Sequence, residues 1–305
     1  MLELIKSPKI DFLKSSKLAF SISGAIILIG IISIIAHGGL NWGIDFTGGT
    51  LVEIRFEKAL DIGEVRSALA ELGLAESDVQ TIGASSREFL IRTKITGKKE
   101  ETAIDKRILA LFEEKLPDNP SEIMRIEAVG PKVGSELRWR ALWATLLAFL
   151  GILLYVSFRF QFRFGVAAVL ALFHDVFITI TVLSLINAEF SLTTIAALLT
   201  IIGYSINDSI VISDRIRENI RIMYREAFSK IVNISLNQTL SRTIITSLST
   251  LLALVSIFLL GGRVLRLFSV PLIIGVIVGT YSSVFIVSPV VASWEEKFPS
   301  RFKKR

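Results

Sequence analysis

Asp208, Arg242, His174 and Asp175 are the ionisable residues that fall inside, or at the edge of, long apolar stretches of this sequence. A charge in hydrocarbon is costly, so such residues are rare, turn toward a bundle interior and often mark ion or proton routes. Asp208 stands beside Asn207 in "YSINDSIVISDRIREN" (204–219), with Ser205 three residues before it. At the helical period Thr194, Ile201, Tyr204, Ser205, Asp208 and Arg215 fall near one face. Ser235, Gln238, Arg242, Thr246 and Ser249 form a second stripe on the next apolar stretch. Burial in hydrocarbon disfavours a free carboxylate and a neighbouring guanidinium favours it, so a moving Arg242 would change the proton affinity of Asp208. Such a group can carry protons, and one proton crossing 100 mV releases about 2.3 kcal/mol. The plainer alternative is a static Asp208–Arg242 salt bridge that fixes helix packing. Asn207 and the serines have the same two readings, as proton-route members or as polar contacts between helices.

His174 and Asp175 suggest a relay or a metal site. Neighbouring residues point about 100° apart on a helix, so the two cannot form a two-ligand site alone. A packed histidine hydrogen-bonded across helices is the competing expectation. The chain has two histidines and no cysteine, and it contains no HExxH or GxSxG motif, which disfavours a hydrolase or metalloenzyme.

Membrane spans must position these residues. The 305-residue chain is 51% hydrophobic, its mean hydropathy is +0.61, and its apolar residues are clustered. Six segments, 18–36, 138–158, 164–186, 191–213, 241–260 and 267–294, can each cover the roughly 20 residues needed to span a bilayer. Lysines 6, 9, 14 and 17 precede the first, the 159–163 and 214–242 connections are rich in arginine, and "KFPSRFKKR" is basic. The positive-inside rule puts these on the cytoplasmic side, against one exception at Arg263 and Arg266. Both termini are then cytoplasmic, the first span is an uncleaved signal anchor, and Asp208 lies in the cytoplasmic third of the bilayer. The "DRIREN" charges read as an anchor at that surface, and "SKIVNISLNQTLSRT" as an interfacial helix entering the fifth span. The net charge of +6 sits in tails and loops, so nucleic-acid binding is a poor inference.

Residues 37–137 fall outside the cytoplasm and carry 13 Lys+Arg against 18 Asp+Glu. Their pattern is strand 50–57, helix 61–73, strands 78–84 and 88–95, helix 98–116 and strand 122–130. That order, β-α-β-β-α-β, predicts a ferredoxin-like layer of helices on a sheet. "GIDFTGGT" (43–50) reads as a glycine turn into the first strand. The expected fold is an α-helical membrane protein, with six transmembrane helices and one extracytoplasmic α+β domain between helices 1 and 2. Its parts are a cytoplasmic segment (1–17), the first span (18–36), the outer domain (37–137), five further spans (138–294) and a basic cytoplasmic tail (295–305).

"NWGIDFTGGT", "HDV", "GYSINDSIVISDRIREN" and "LNQTLSRTIITSLSTL" together resemble the SecF family of the SecD–SecF protein-export complex. The similarity covers nearly the whole chain. The span 4 stretch is its most specific part, because SecD proteins carry a similar "GIDFTGG". "VISDR" replaces the frequent "VVFDR", a change at Ser213 expected to affect packing only. The resemblance implies a resistance-nodulation-division transporter fold and SecD as a second, six-span half. It implies association with the SecYEG channel and unfolded preproteins, and a bacterial or archaeal plasma (inner) membrane location. The proton gradient is then the energy source, with no cofactor. The family's proton-linked acid and arginine align with Asp208 and Arg242. The alternative role is a structural scaffold for SecD without proton conduction.

Overall fold

The computed structural model describes residues 8–83, 85–93 and 104–299. Residues 1–7 and 300–305, with most of the basic tail and the junction between the third strand and second helix of the α+β domain, lie outside the described residues. The chain divides into two compact units, Trp42–Leu142 and the remainder.

The first unit contains a short helix α2 (Ile44–Thr47), strand β1 (Gly49–Phe56), helix α3 (Ile62–Glu71) and strands β2 (Asp78–Ile82) and β3 (Glu88–Thr93). Helix α4 (Ile104–Lys115) and strand β4 (Ser121–Val129) complete it. The antiparallel sheet has the order β2-β3-β1-β4, which is the split βαβ arrangement predicted from the sequence. Alternation along β1 sends Val52, Ile54 and Phe56 to one face, where they pack against Val65 and Leu69 of α3 and Ile108 and Phe112 of α4. Phe56 meets Phe89 and Phe112 edge-on, with ring centroids 5.7 Å and 5.1 Å away. Asp61 caps α3 by accepting from the Gly63 amide at 2.7 Å.

The glycine turn contains more than a turn. α2 occupies Ile44–Thr47, and only then do Gly48 and Gly49 take positive φ (71° and 132°). A Cβ on Gly49 would stand 2.6 Å from the Thr93 carbonyl oxygen, so the start of β1 has room only for glycine.

The second unit holds the apolar helices. These are α1 (Ser16–Ala36), most of α5 (Pro131–Arg159), α6 (Phe162–Leu185), α7 (Leu192–Ile222), α8 (Phe228–Leu260), α9 (Arg263–Ser282) and α10 (Ser288–Lys297). A π-helical turn, Ser283–Val287, joins α9 to α10, so the sixth span runs on as one helix with a local widening. Among the described residues, six helical segments are long and apolar enough to cross a membrane. A capping box at Ser191 and Thr194 starts α7. The helix then continues through "DRIREN" to Ile222, nine residues beyond the expected end of its span.

α8 starts at Phe228, so the stretch read as an interfacial helix runs without a break into the fifth span. That stretch has a specific task. Asn233 and Asn237, one turn apart, hydrogen-bond the Ile10 and Phe12 backbone at 2.8–3.0 Å and hold the segment before α1. α7 and α9 pack closely. Gly275 and Gly279 lie directly against Ile201 and Ser205, where a Cβ would come within 2.3 Å and 3.0 Å. Small residues at this spacing let two membrane helices approach closely.

Candidate functional site

Asp208 is buried (4% exposed) on the inner side of α7, with Ser205 and Ser209. Among the described residues its carboxylate makes no hydrogen bond or ion pair closer than 4 Å. The Arg242 guanidinium acts on it electrostatically, without the contact of a salt bridge. Arg242 lies on the open side of α8 with Gln238 and Ser249, whereas the buried face of α8 carries Ser235, Thr239, Thr243 and Ser247. The stripe predicted on this helix is therefore split: Ser235 packs inward, whereas Gln238, Arg242 and Ser249 face outward. The hydroxyls of Tyr204 and Thr243 are buried without a hydrogen-bond partner among the described residues. Tyr204 is one turn from Asp208, and Thr243 follows Arg242 in the chain. Asn207 is exposed on α7.

Ser205 shares the Asp208 face but serves another acid. Its hydroxyl donates to Asp175 Oδ2 at 2.6 Å, and Ser282, the last residue of α9, donates to the same oxygen at 2.8 Å. Asp175 is fully buried, and its Oδ1 lies 2.9 Å from Nδ1 of His174. The side chains of these adjacent residues curl together despite the angle between their Cβ directions. On its other edge, His174 Nε2 meets Ser23 Oγ of α1 at 2.9 Å. Ser23 in turn meets the Tyr281 hydroxyl at 3.1 Å, and Tyr281 donates to the Ala19 carbonyl at 2.8 Å. Two buried polar centres therefore stand where the sequence suggested two facing stripes plus a side pair. The signal missed was the serine in "TYSS" of span 6, which looked like an ordinary small residue. Among the described residues, no group of three or more His, Asp and Glu could hold a metal ion.

The charges after Asp208 tie α7 to its neighbours. Arg215 donates to Gln238 and Glu218 at 2.7 Å and 2.6 Å. Asn219 donates to Ser235 and Gln238 at 2.8 Å and 2.7 Å. Gln238, expected beside Arg242, is thus engaged by the far end of α7.

Six candidate membrane helices with polar groups buried among them, and a small ferredoxin-like domain between the first and second, define a multi-pass membrane protein. Two family models match the chain: "Protein export membrane protein SecD/SecF, C-terminal" over residues 111–297 and "SecD/SecF GG Motif" over residues 33–59. Protein translocase subunit SecF of Calditerrivibrio nitroreducens is 46% identical over 95% of this chain and 96% of its own length. That of Escherichia coli O157:H7 is 44% identical over 91% and 85%. A crystal structure of SecDF, a translocon-associated membrane protein from Thermus, matches with a TM-score of 0.85 and 40% identity. That match covers 95% of this chain, which spans 39% of the SecDF polypeptide. The chain belongs to the SecF family of protein translocase subunits.

Proposed function

We propose that this chain is the SecF half of a SecD–SecF pair that uses the proton gradient to assist preprotein export through SecYEG. Asp208 is the proton-carrying acid and Arg242 the cation that tunes it, with Asn207 as a polar neighbour. The supporting observation is the unfinished polar surface of α7 and α8. Arg242, Asn207 and Ser249 are exposed on an isolated six-helix unit, and Asp208 is buried without a hydrogen-bond partner among the described residues. Hydrocarbon does not solvate such groups, so a second membrane half of matching polarity belongs on that face. The relatives' names and the longer SecDF polypeptide supply SecD as that half. In this reading the protein sits in the plasma membrane with both termini cytoplasmic and the outer domain on the far side.

The static-bridge alternative needs Asp208 and Arg242 in contact, and the geometry favours a separated pair. Asp208→Asn, co-expressed with SecD, is expected to co-purify normally and to lose gradient-dependent stimulation of export. Normal stimulation would remove Asp208 from the mechanism. The charge swap Asp208→Arg with Arg242→Asp separates the roles. A scaffold pair tolerates the exchange, whereas a proton carrier does not.

A further inference from the structure

A cavity of about 450 Å³ opens between the start of α6, the end of α7, the first turn of α8 and the end of α10. Small-molecule sites occupy about 300–1,000 Å³. None of its lining residues belongs to the Asp208 or the Asp175 centre. Its floor is apolar and buried, made by Phe164, Ile231 and Val291. Its rim is charged. Arg217 and Arg221 stand one turn apart on α7, and Glu296 comes from α10. All three are exposed and form no ion pair among the described residues. The other charges of the lining are already matched, Arg163 with Glu295 and Glu226 with Lys230.

The level of the cavity along the helices decides what it meets. The apolar run of α7 ends at residue 213, so Arg217 and Arg221 lie about 6 Å and 12 Å beyond it. Headgroups fill roughly 5–8 Å on each side of the hydrocarbon core. Phe164 and Val291 fall within apolar runs, and Glu296 is just past the end of one. The floor is therefore level with lipid chains and the rim with lipid headgroups. Tyr224, also in the lining, is of the type that gathers at this boundary.

We propose that this cavity seats an amine-bearing zwitterionic phospholipid, with its phosphate at Arg217 and Arg221, its amine at Glu296 and an acyl chain on Phe164, Ile231 and Val291. A phosphate diester is negative and accepts from guanidinium groups in short, charge-assisted hydrogen bonds. An ammonium group supplies the donor that the Glu296 carboxylate lacks. A free phosphate would leave the apolar floor against water, and a purely apolar ligand would leave three charges unmatched. A phospholipid meets both halves, and basic pockets between membrane helices hold lipid headgroups in this way. α6 and α8 also begin at the cavity, at Gln161 and Ala227, and neither N-cap side chain satisfies the first-turn amides. The bound lipid ties the end of α7, the helix that carries Asp208, to α10. Binding itself does not depend on the role of Asp208.

The test uses the full chain with SecD in nanodiscs of phosphatidylglycerol. The probe is a trace of phosphatidylethanolamine with a photoreactive diazirine on one acyl chain. After illumination, peptide mapping is expected to find the label concentrated on the peptides that contain Phe164, Ile231 and Val291. Arg217→Gln with Arg221→Gln removes the charge-assisted contacts and should lower that labelling about tenfold or more. Both arginines are exposed, so this variant should still co-purify with SecD. Lys297→Gln removes an exposed charge outside the lining and should leave the labelling unchanged. A phosphatidylglycerol probe with the same chain should label the floor less, and Glu296→Gln should erase the difference. Four results overturn the proposal. Label spread evenly over the membrane helices means surrounding lipid only. Full competition by inorganic phosphate means an anion site without a lipid. Equal or stronger labelling by the phosphatidylglycerol probe removes the amine. Cross-links from the floor to SecD or to residues 300–305 mean a protein occupant.

Discussion

Gly275→Ala tests whether the α7–α9 contact sets the spacing on which both polar centres depend. A Cβ at residue 275 would lie 2.3 Å from Ile201 Cδ1 and Cγ1 and 2.8 Å from Cγ2. Carbon atoms rest about 3.5–4.0 Å apart, so either Ile201 or the whole of α9 must yield by about 1.2–1.7 Å. Ile201 is fully buried, and a β-branched residue on a helix has one strongly preferred χ1, so rotation offers little relief. Overpacking of this kind costs about 1–3 kcal/mol. Ile201→Ala alone opens a cavity and costs about 2–5 kcal/mol. In the double variant the new methyl enters the vacated space. The two costs should therefore fall short of adding by about 1 kcal/mol or more. Detergent-titration unfolding of the full chain in bicelles measures all four variants. Additivity within about 0.5 kcal/mol would refute direct packing of Gly275 on Ile201. Displacement of α9 also withdraws Ser282 from Asp175, so Gly275→Ala should lower export stimulation, and Ile201→Ala should partly restore it.

Two further outcomes test smaller contacts. Asp61→Ala removes the cap of α3 and should cost about 1 kcal/mol, seen as faster amide exchange in the first turn of that helix; Asp61→Ser should be close to neutral. Replacing Asn233 and Asn237 together by Ala releases the backbone at Ile10 and Phe12, so trypsin should cleave after Lys9 and Lys14 several-fold faster, and an unchanged rate would show that the clamp does not hold the segment.

Much of the architecture is written in local patterns. A run such as "LAFSISGAIILIGIISIIA" must be a helix, because hydrocarbon leaves the backbone no other partner. Alternation in "TLVEIRF" gives β1 its inner face, and the β-α-β-β-α-β order leaves few ways to arrange four strands. Asp208 was legible as a candidate site because a carboxylate in an apolar helix needs a reason to be there. Its burial agrees with that reading, and its role rests on the proposal above.

Other features required the tertiary structure. A helical wheel shows which residues share a face but not which neighbour that face meets. It grouped Ser205 with Asp208, although the Ser205 hydroxyl turns to Asp175 on α6. It grouped Gln238 with Arg242, although Gln238 is held by Arg215 and Asn219. Ser23, Tyr281 and Ser282 carry no local signal, since a hydroxyl in a membrane helix can always bond its own backbone. Their meaning comes from residues more than 100 positions away in the chain. By itself the sequence determined the number of spans, the ferredoxin-like domain and the presence of costly buried charge, because hydrophobicity and hydrogen-bond demand act locally along the chain. The tertiary structure alone decided that the charge forms two centres, an open one at Asp208 and a closed one at Asp175. Hydrogen-bond partners are chosen by distance in space, and close packing of glycine on serine brings those partners within reach.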